Sequence, residues 1–239
     1  MFDKLGYEVI DVSPIANILM KMREHSLAVF NCFSEFYYKK PVNTDEELVL
    51  FRQMSQKEQY QALKQLQFSP QIFRVAGDSF FPEVLKSKFG YKMPNLDLPP
   101  YMRCDIPINE QSLFRQHQDY SYNTGSSNSV TIWIPLQDTS ISEGALLCSP
   151  GSHNNGVYEN CNGIIHDRYE FDFEPVPMKF GQALLFDQKL VHKSGFNVSR
   201  NVRFSIILRF SDLGDLDYLK RGCPLNHEIS TIKYAEATR

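Results

Sequence analysis

Apolar positions follow two regimes along the chain, a helical one up to about residue 97 and a strand-like one beyond it. Residues 5–12 alternate as a short strand, and Ser13-Pro14 reads as a helix start with a Ser cap and Pro in the first turn. From Ile15 to Tyr38, apolar side chains such as Ile15, Ile18, Leu19, Met22, Phe30 and Phe33 recur mostly at three- and four-residue spacing. That period predicts an amphipathic helix stopped by Pro41. Thr44 with Glu47 fits a capping box opening a second helix through the Leu48–Leu66 region. A third helix is expected over 70–89, closed by Gly90. From about Leu98, short runs rich in Tyr, Val, Ile and Phe alternate with Pro, Gly, Asn and Asp. Candidate strands are 100–107, 112–122, 128–137, 144–149, 173–179, 182–187, 190–195 and 201–211, a number that suits a jelly roll. The expected class is α+β with a mainly β core and the N-terminal helices on one face.

No repeat, low-complexity tract or linker divides the chain of 239 residues, so a single domain is expected. Its parts would be a helical stretch over 1–97, a β core over 98–212 and a tail over 213–239. The long connection over 150–172 is expected to serve as a lid or substrate-facing loop. The polar tail suits covering the core or subunit contact in a homo-oligomer. A formal charge of −3 gives no electrostatic case for nucleic acid or an anionic membrane. The five cysteines, at 32, 104, 148, 161 and 223, form no Cys-x-x-Cys and suggest neither a disulfide framework nor a thiolate zinc site. The N-terminus lacks the basic flank and apolar core of a signal peptide, and no apolar run reaches spanning length. A reducing cytoplasm is the expected compartment.

Chemistry enters with His117-Gln118-Asp119. On an extended strand, His117 and Asp119 point the same way and Gln118 the other. The triplet alone suits a hydrogen-bonded structural histidine equally well; a third ligand is what a metal site requires. His192, at the end of an apolar run, supplies it, and two histidines with one carboxylate and open positions are the donor set of non-haem Fe(II) oxygenases. Downstream, Arg203 and Ser205 share one strand face, opposite Val202, Phe204 and Ile206. A buried Arg needs an anion, and the far carboxylate of a 2-oxo dicarboxylate chelating the metal would provide one. An ordinary salt bridge is the competing account, and Arg200 and Arg209 compete for the role.

His117-Gln118-Asp119, the run from Ile134 through Glu143-Gly144 to Pro150-Gly151-Ser152-His153, and His192 followed eleven positions later by Arg203 in Arg-x-Ser together resemble the phytanoyl-CoA dioxygenase family. That family lies within the Fe(II)/2-oxoglutarate-dependent oxygenases, and the resemblance covers roughly residues 98–212. It implies a double-stranded β-helix, the jelly-roll or cupin-like fold, with His117, Asp119 and His192 as iron ligands. It further implies that Arg203, assisted by Ser205, binds the distal carboxylate of 2-oxoglutarate, and that Thr131 and Trp133 line the co-substrate pocket. The carboxylate at Asp119 sets the chain apart from related halogenases, which carry a small residue there. His153 is expected in a turn, His25 in a helix, and His166 and His227 at the surface.

The implied reaction consumes O2 and 2-oxoglutarate, releases succinate and CO2, and hydroxylates a C–H bond; desaturation, cyclisation or epimerisation would use the same ligands. No compact basic cluster for a CoA is visible in the sequence. Tyr120, Tyr122, Asn123, Arg115 and the 150–172 loop suit a small polar metabolite or a sugar- or phosphate-bearing substrate. A protein-modifying hydroxylase and a non-catalytic jelly-roll binding module are the other classes this pattern admits.

Overall fold

The computed structural model describes residues 2–97, 99–108, 113–122 and 125–224. A short helix α1 (Phe2–Leu5) leads into strand β1 (Tyr7–Asp11). A 3-10 turn at Ser13–Ile15 then opens α2 (Ala16–Tyr38), and no side chain caps that junction. Helix α2 buries Leu19, Met22, Ser26, Phe30 and Ser34, the stripe expected of its period, and stops where Lys39 turns left-handed at φ 55°. The expected second helix is two, α3 (Asp45–Met54) and α4 (Gln56–Leu66). Ser55, extended at φ −156°, ends one and caps the other through Glu58 N–H. The Thr44–Glu47 capping box is present. The third expected helix is likewise split, into α5 (Pro70–Ala76), capped by Ser69, and α6 (Phe80–Phe89), with Gly77 at the break.

The β core begins with β2 (Pro94–Leu96) and β3 (Tyr101–Asp105) and continues with β4 (Val130–Pro135) and β5 (Leu146–Cys148). After β5 come β6 (Asn160–Cys161), β7 (Ile164–Ile165), β8 (Glu174–Val176), β9 (Gln182–Asp187), β10 (His192–Lys193) and β11 (Arg203–Asp212), and α7 (Leu216–Lys220) follows. Among the described residues a six-stranded antiparallel sheet runs β1-β9-β4-β11-β2, with β3 also on β11, and a three-stranded one runs β10-β5-β8. Among the described residues of the strand expected over 112–122 no strand forms: His117 makes isolated bridges to His192 and Ile164, and the chain then coils into a 3-10 turn at Asp119–Ser121. The 150–172 connection is not structureless, since it holds a 3-10 turn and the β6-β7 hairpin.

Alternation on the large sheet explains the layering. Val130, Ile132, Ile134, Ala183, Leu185, Val202, Phe204, Ile206 and Leu208 join one core with the helices, through Leu19, Met22, Phe30, Phe51 and Leu66. The opposite face sends Trp133, Leu184 and Phe186 against Leu146, Cys148, Val176 and Met178 of the small sheet and its flank. The result is helices on one face of a β core, and a second, thinner layer between the sheets. That layer is where the polar side chains of the site converge. Among the described residues no helix is long and apolar enough to cross a membrane. His227, Asn123 and the tail over 225–239 lie outside the described residues.

Candidate metal centre

His117, Asp119 and His192 are all buried, and one donor atom from each lies within 4.8 Å of the others. They meet because Gln118 keeps an extended backbone (φ −117°, ψ 132°), so the alternation that aligns His117 with Asp119 survives although the strand does not. His192 is brought alongside by paired backbone hydrogen bonds, His117 N to His192 O and His192 N to His117 O, both 3.0 Å. Each imidazole places Nδ1 on a backbone carbonyl, His117 on Arg115 O at 2.7 Å and His192 on Leu190 O at 3.0 Å. With Nδ1–H donating there, each Nε2 lone pair faces Asp119 Oδ1, at 3.7 and 4.0 Å. Thr131 Oγ1 donates to Asp119 Oδ2 at 2.6 Å and Arg209 Nη2 to Oδ1 at 2.9 Å. The side chain of Gln118 points away, as alternation requires, and pins the 150–172 segment. Its Nε2 donates to Gly156 O at 2.8 Å, and its Oε1 accepts from Tyr158 N at 2.8 Å.

Protonation states suit metal binding. Burial pushes the His117 imidazole down to about 3, helped by neighbouring His192, and lowers His192 as well. Burial alone would raise Asp119, but Arg209 and the two histidines override it and hold the carboxyl well below its usual range. Two neutral nitrogens and one carboxylate are thus available at neutral pH. Unfolded histidines titrate near ~6.5, so between there and about pH 3 the unfolded chain binds more protons than the folded one. The metal-free protein is therefore expected to lose stability as pH falls from 6.5 towards 3, with Asp119 adding to the loss below the ordinary carboxylate range. Urea midpoints at stepped pH check this; a flat profile, or one unchanged in a His117→Gln/His192→Gln double variant, contradicts it.

Arg203 is 2 % exposed and pairs through Nη2 with Asp105 Oδ2 at 2.8 Å. Its Nε and Nη1, and the Oγ of buried Ser205, have no hydrogen-bond partner. Buried donors without acceptors are costly, and an incoming carboxylate would supply this guanidinium with an acceptor. Arg203 lines the same small cavity as His117, Asp119, Thr131, Trp133 and His192, and its guanidinium stacks 5.6 Å from the Trp133 ring centroid. Ser205 is on the same strand face but is not part of that lining. Asp105, which the sequence did not single out, holds both Arg203 and Arg103, the latter through Nη2 at 2.6 Å. Arg209, a competitor for the co-substrate role, sits on Asp119 instead. Among the other histidines, His153 lies in a turn and His166 pairs with Glu159 at the surface, and neither belongs to the cluster.

The turn at Ser140–Gly144 backs this arrangement. Gly144 has φ +80°, and a Cβ there would stand 2.7 Å from Gly195 O and 2.9 Å from Arg203 Nη1. Gly144→Ala is expected to destabilise the fold by about 1–3 kcal/mol and to weaken 2-oxoglutarate binding. Thermal melts and co-substrate titration check both effects; a variant with unchanged melting and affinity contradicts them.

The donor set and fold define a 2-His-1-carboxylate centre of the non-haem Fe(II) type, with a buried arginine suited to 2-oxoglutarate beside it. Residues 107–205 match the family model for phytanoyl-CoA dioxygenase (PhyH). The chain is 30% identical over 185 residues to a phytanoyl-CoA dioxygenase of Arabidopsis thaliana, covering 73% of this chain and 64% of that one. It is 31% identical over 107 residues to a methylphosphonate hydroxylase of Gimesia maris, covering 44% and 41%. Among solved structures, EctD from S. alaskensis with 2-oxoglutarate and 5-hydroxyectoine superposes with a TM-score of 0.60 at 20% identity, over 90% of this chain and 74% of that one. The chain is thus similar to the phytanoyl-CoA dioxygenase family, most directly over residues 107–205. It spans less than two thirds of the length of these curated relatives.

Proposed function

We propose that the chain is an Fe(II)- and 2-oxoglutarate-dependent dioxygenase that hydroxylates a C–H bond of a small polar metabolite or a sugar- or phosphate-bearing substrate. The observation that carries this reading is the pairing of a buried facial triad with an Arg203 whose Nε and Nη1 lack partners in the same cavity. His117, Asp119 and His192 would hold the iron; Arg203 and Ser205 would hold the distal carboxylate; Trp133 would wall the pocket, and Thr131 would orient Asp119. When bound, iron with 2-oxoglutarate and O2 supplies the oxidising power, and 2-oxoglutarate leaves as succinate and CO2. The protein's own part is to keep both Nε2 atoms deprotonated, fix Asp119 through Thr131 and Arg209, and exclude water with the buried aromatic wall.

The two sheets are taken as the faces of a double-stranded β-helix within one domain over 1–239. The methylphosphonate hydroxylase relative favours a phosphonate- or phosphate-bearing substrate over a neutral one. Five free thiols, two of them buried, suit a reducing compartment such as the cytoplasm. The test is succinate release from 2-oxoglutarate with Fe(II), ascorbate and O2. Slow release that is lost in His192→Ala supports the reading, and iron-independent release or none from folded, metal-loaded protein overturns it.

A further inference from the structure

Beside the metal cavity lies a second, larger cleft of about 810 Å³, and the two share Tyr101, Arg103 and Phe114 as common walls. That volume is in the range of a bound metabolite, whereas the inner cavity is far smaller. The outer wall is built by the α3–α4 corner, which the family match over 107–205 does not reach. Its charge is one-sided. Among the described residues, Arg52, Lys57, Arg103 and Arg115 line it against a single carboxylate, Asp105, on a chain whose formal charge is −3.

Those four cations are not equivalent. Arg103 is engaged with Asp105, which also serves Arg203, and Arg115 is held by exposed Asp167. Arg52 is half-buried, and its Nη1 reaches only neutral oxygens, Gln59 Oε1 at 3.3 Å and Gln56 O at 3.5 Å. Among the described residues no carboxylate lies within ion-pair distance of Arg52 or of Lys57. A partly desolvated guanidinium without a counter-anion is an unfavourable arrangement that an anionic ligand would relieve. The aromatic rings of Tyr60, Tyr101, Phe114 and Tyr122 line the same cleft and suit the carbon part of such a ligand.

We propose that this cleft is the substrate site, and that Arg52, with Lys57, anchors a phosphonate, phosphate or carboxylate group of the substrate while its carbon end reaches the metal past Phe114 and Tyr101. The proposal rests on the oxygenase reading for what happens at the metal, but the anion site itself does not.

The test uses phenylphosphonate, benzoate and benzyl alcohol, which share a ring and differ in charge. Calorimetry on the full chain without iron measures binding, and the visible band of the anaerobic Fe(II)–2-oxoglutarate complex reports whether the probe perturbs the metal. Wild type is expected to prefer at least one anion over the alcohol by about 10–100-fold, the range of a charge-assisted hydrogen bond. Arg52→Gln should erase that preference, Arg52→Lys should keep part of it, and Lys86→Gln, at an exposed α6 position outside the cleft lining, should leave it intact. Preference for phenylphosphonate or benzoate assigns the anion class. Equal binding of all three probes, or a preference that survives in folded Arg52→Gln, overturns the proposal. Arg52-dependent anion binding without any iron band would sink the oxygenase reading and leave the anion site standing; a normal band without anion preference would do the reverse.

Discussion

Asp119→Ala should abolish tight Fe(II) binding and, with it, succinate release. Asp119 is the only anionic donor in the triad, and the two histidines that remain are neutral at working pH. Neutral imidazoles alone are poor partners for Fe(II), which in such centres takes two nitrogens and a carboxylate. Loss of partners around a ligand already costs roughly 10–100-fold in metal affinity, so loss of the ligand itself should exceed ~100-fold. The variant also strips Arg209 of its anion and Thr131 of its acceptor. The metal-free fold should therefore be weakened, by about 3 kcal/mol or less because Arg209 is partly solvated. Asp119→Asn separates the two effects, since it keeps an oxygen for Thr131 or Arg209 but not the charge. Anaerobic calorimetry with Fe(II) measures the affinity. Near-wild-type metal binding in Asp119→Ala would contradict the ligand assignment.

Arg203→Met should raise the 2-oxoglutarate concentration needed for turnover by about 100-fold, because truncating one side of a buried charge pair costs about 2–5 kcal/mol. The control is 2-oxovalerate, which keeps the metal-chelating end and lacks the distal carboxylate. Wild type should favour 2-oxoglutarate strongly over 2-oxovalerate, whereas Arg203→Met should hardly distinguish them. Arg203→Lys should fall between, since an ammonium carries the charge but not the planar fork. Should Arg203→Met retain the preference and Arg209→Met lose it, the distal carboxylate belongs to Arg209. Asp105 keeps Arg103 as a partner in the variant, so the fold should survive with a lowered melting temperature.

Much of this was legible in the chain because it depends on local alternation. Val202, Phe204 and Ile206 face the helices and leave Arg203 and Ser205 on the other side, as period two demands. His117 and Asp119 converge for the same reason, although the expected strand there is only a pair of bridges. The helix breaks were signalled more weakly, by Ser55 with Glu58 and by Gly77 with Ser79, inside runs whose apolar period hardly falters. What the sequence hides is contact between distant segments. Asp105 pairs with Arg203 across a sheet register, Arg209 reaches back 90 positions to Asp119, and the cationic cleft gathers Arg52, Lys57, Arg103 and Arg115 from separate elements. No local pattern announces such a cluster, so the absence of a compact basic run in the sequence did not exclude one in space.

The central claim is that His117, Asp119 and His192 hold iron while Arg203 receives 2-oxoglutarate. Anaerobic titration of metal-free protein with Fe(II) and then 2-oxoglutarate tests it directly, through the visible charge-transfer band of the chelated complex. A saturable band should form in wild type, need both additions, vanish in His117→Ala and His192→Ala, and demand far more 2-oxoglutarate in Arg203→Met. No band from folded, iron-loaded wild type, or one indifferent to the two histidines, would contradict the assignment.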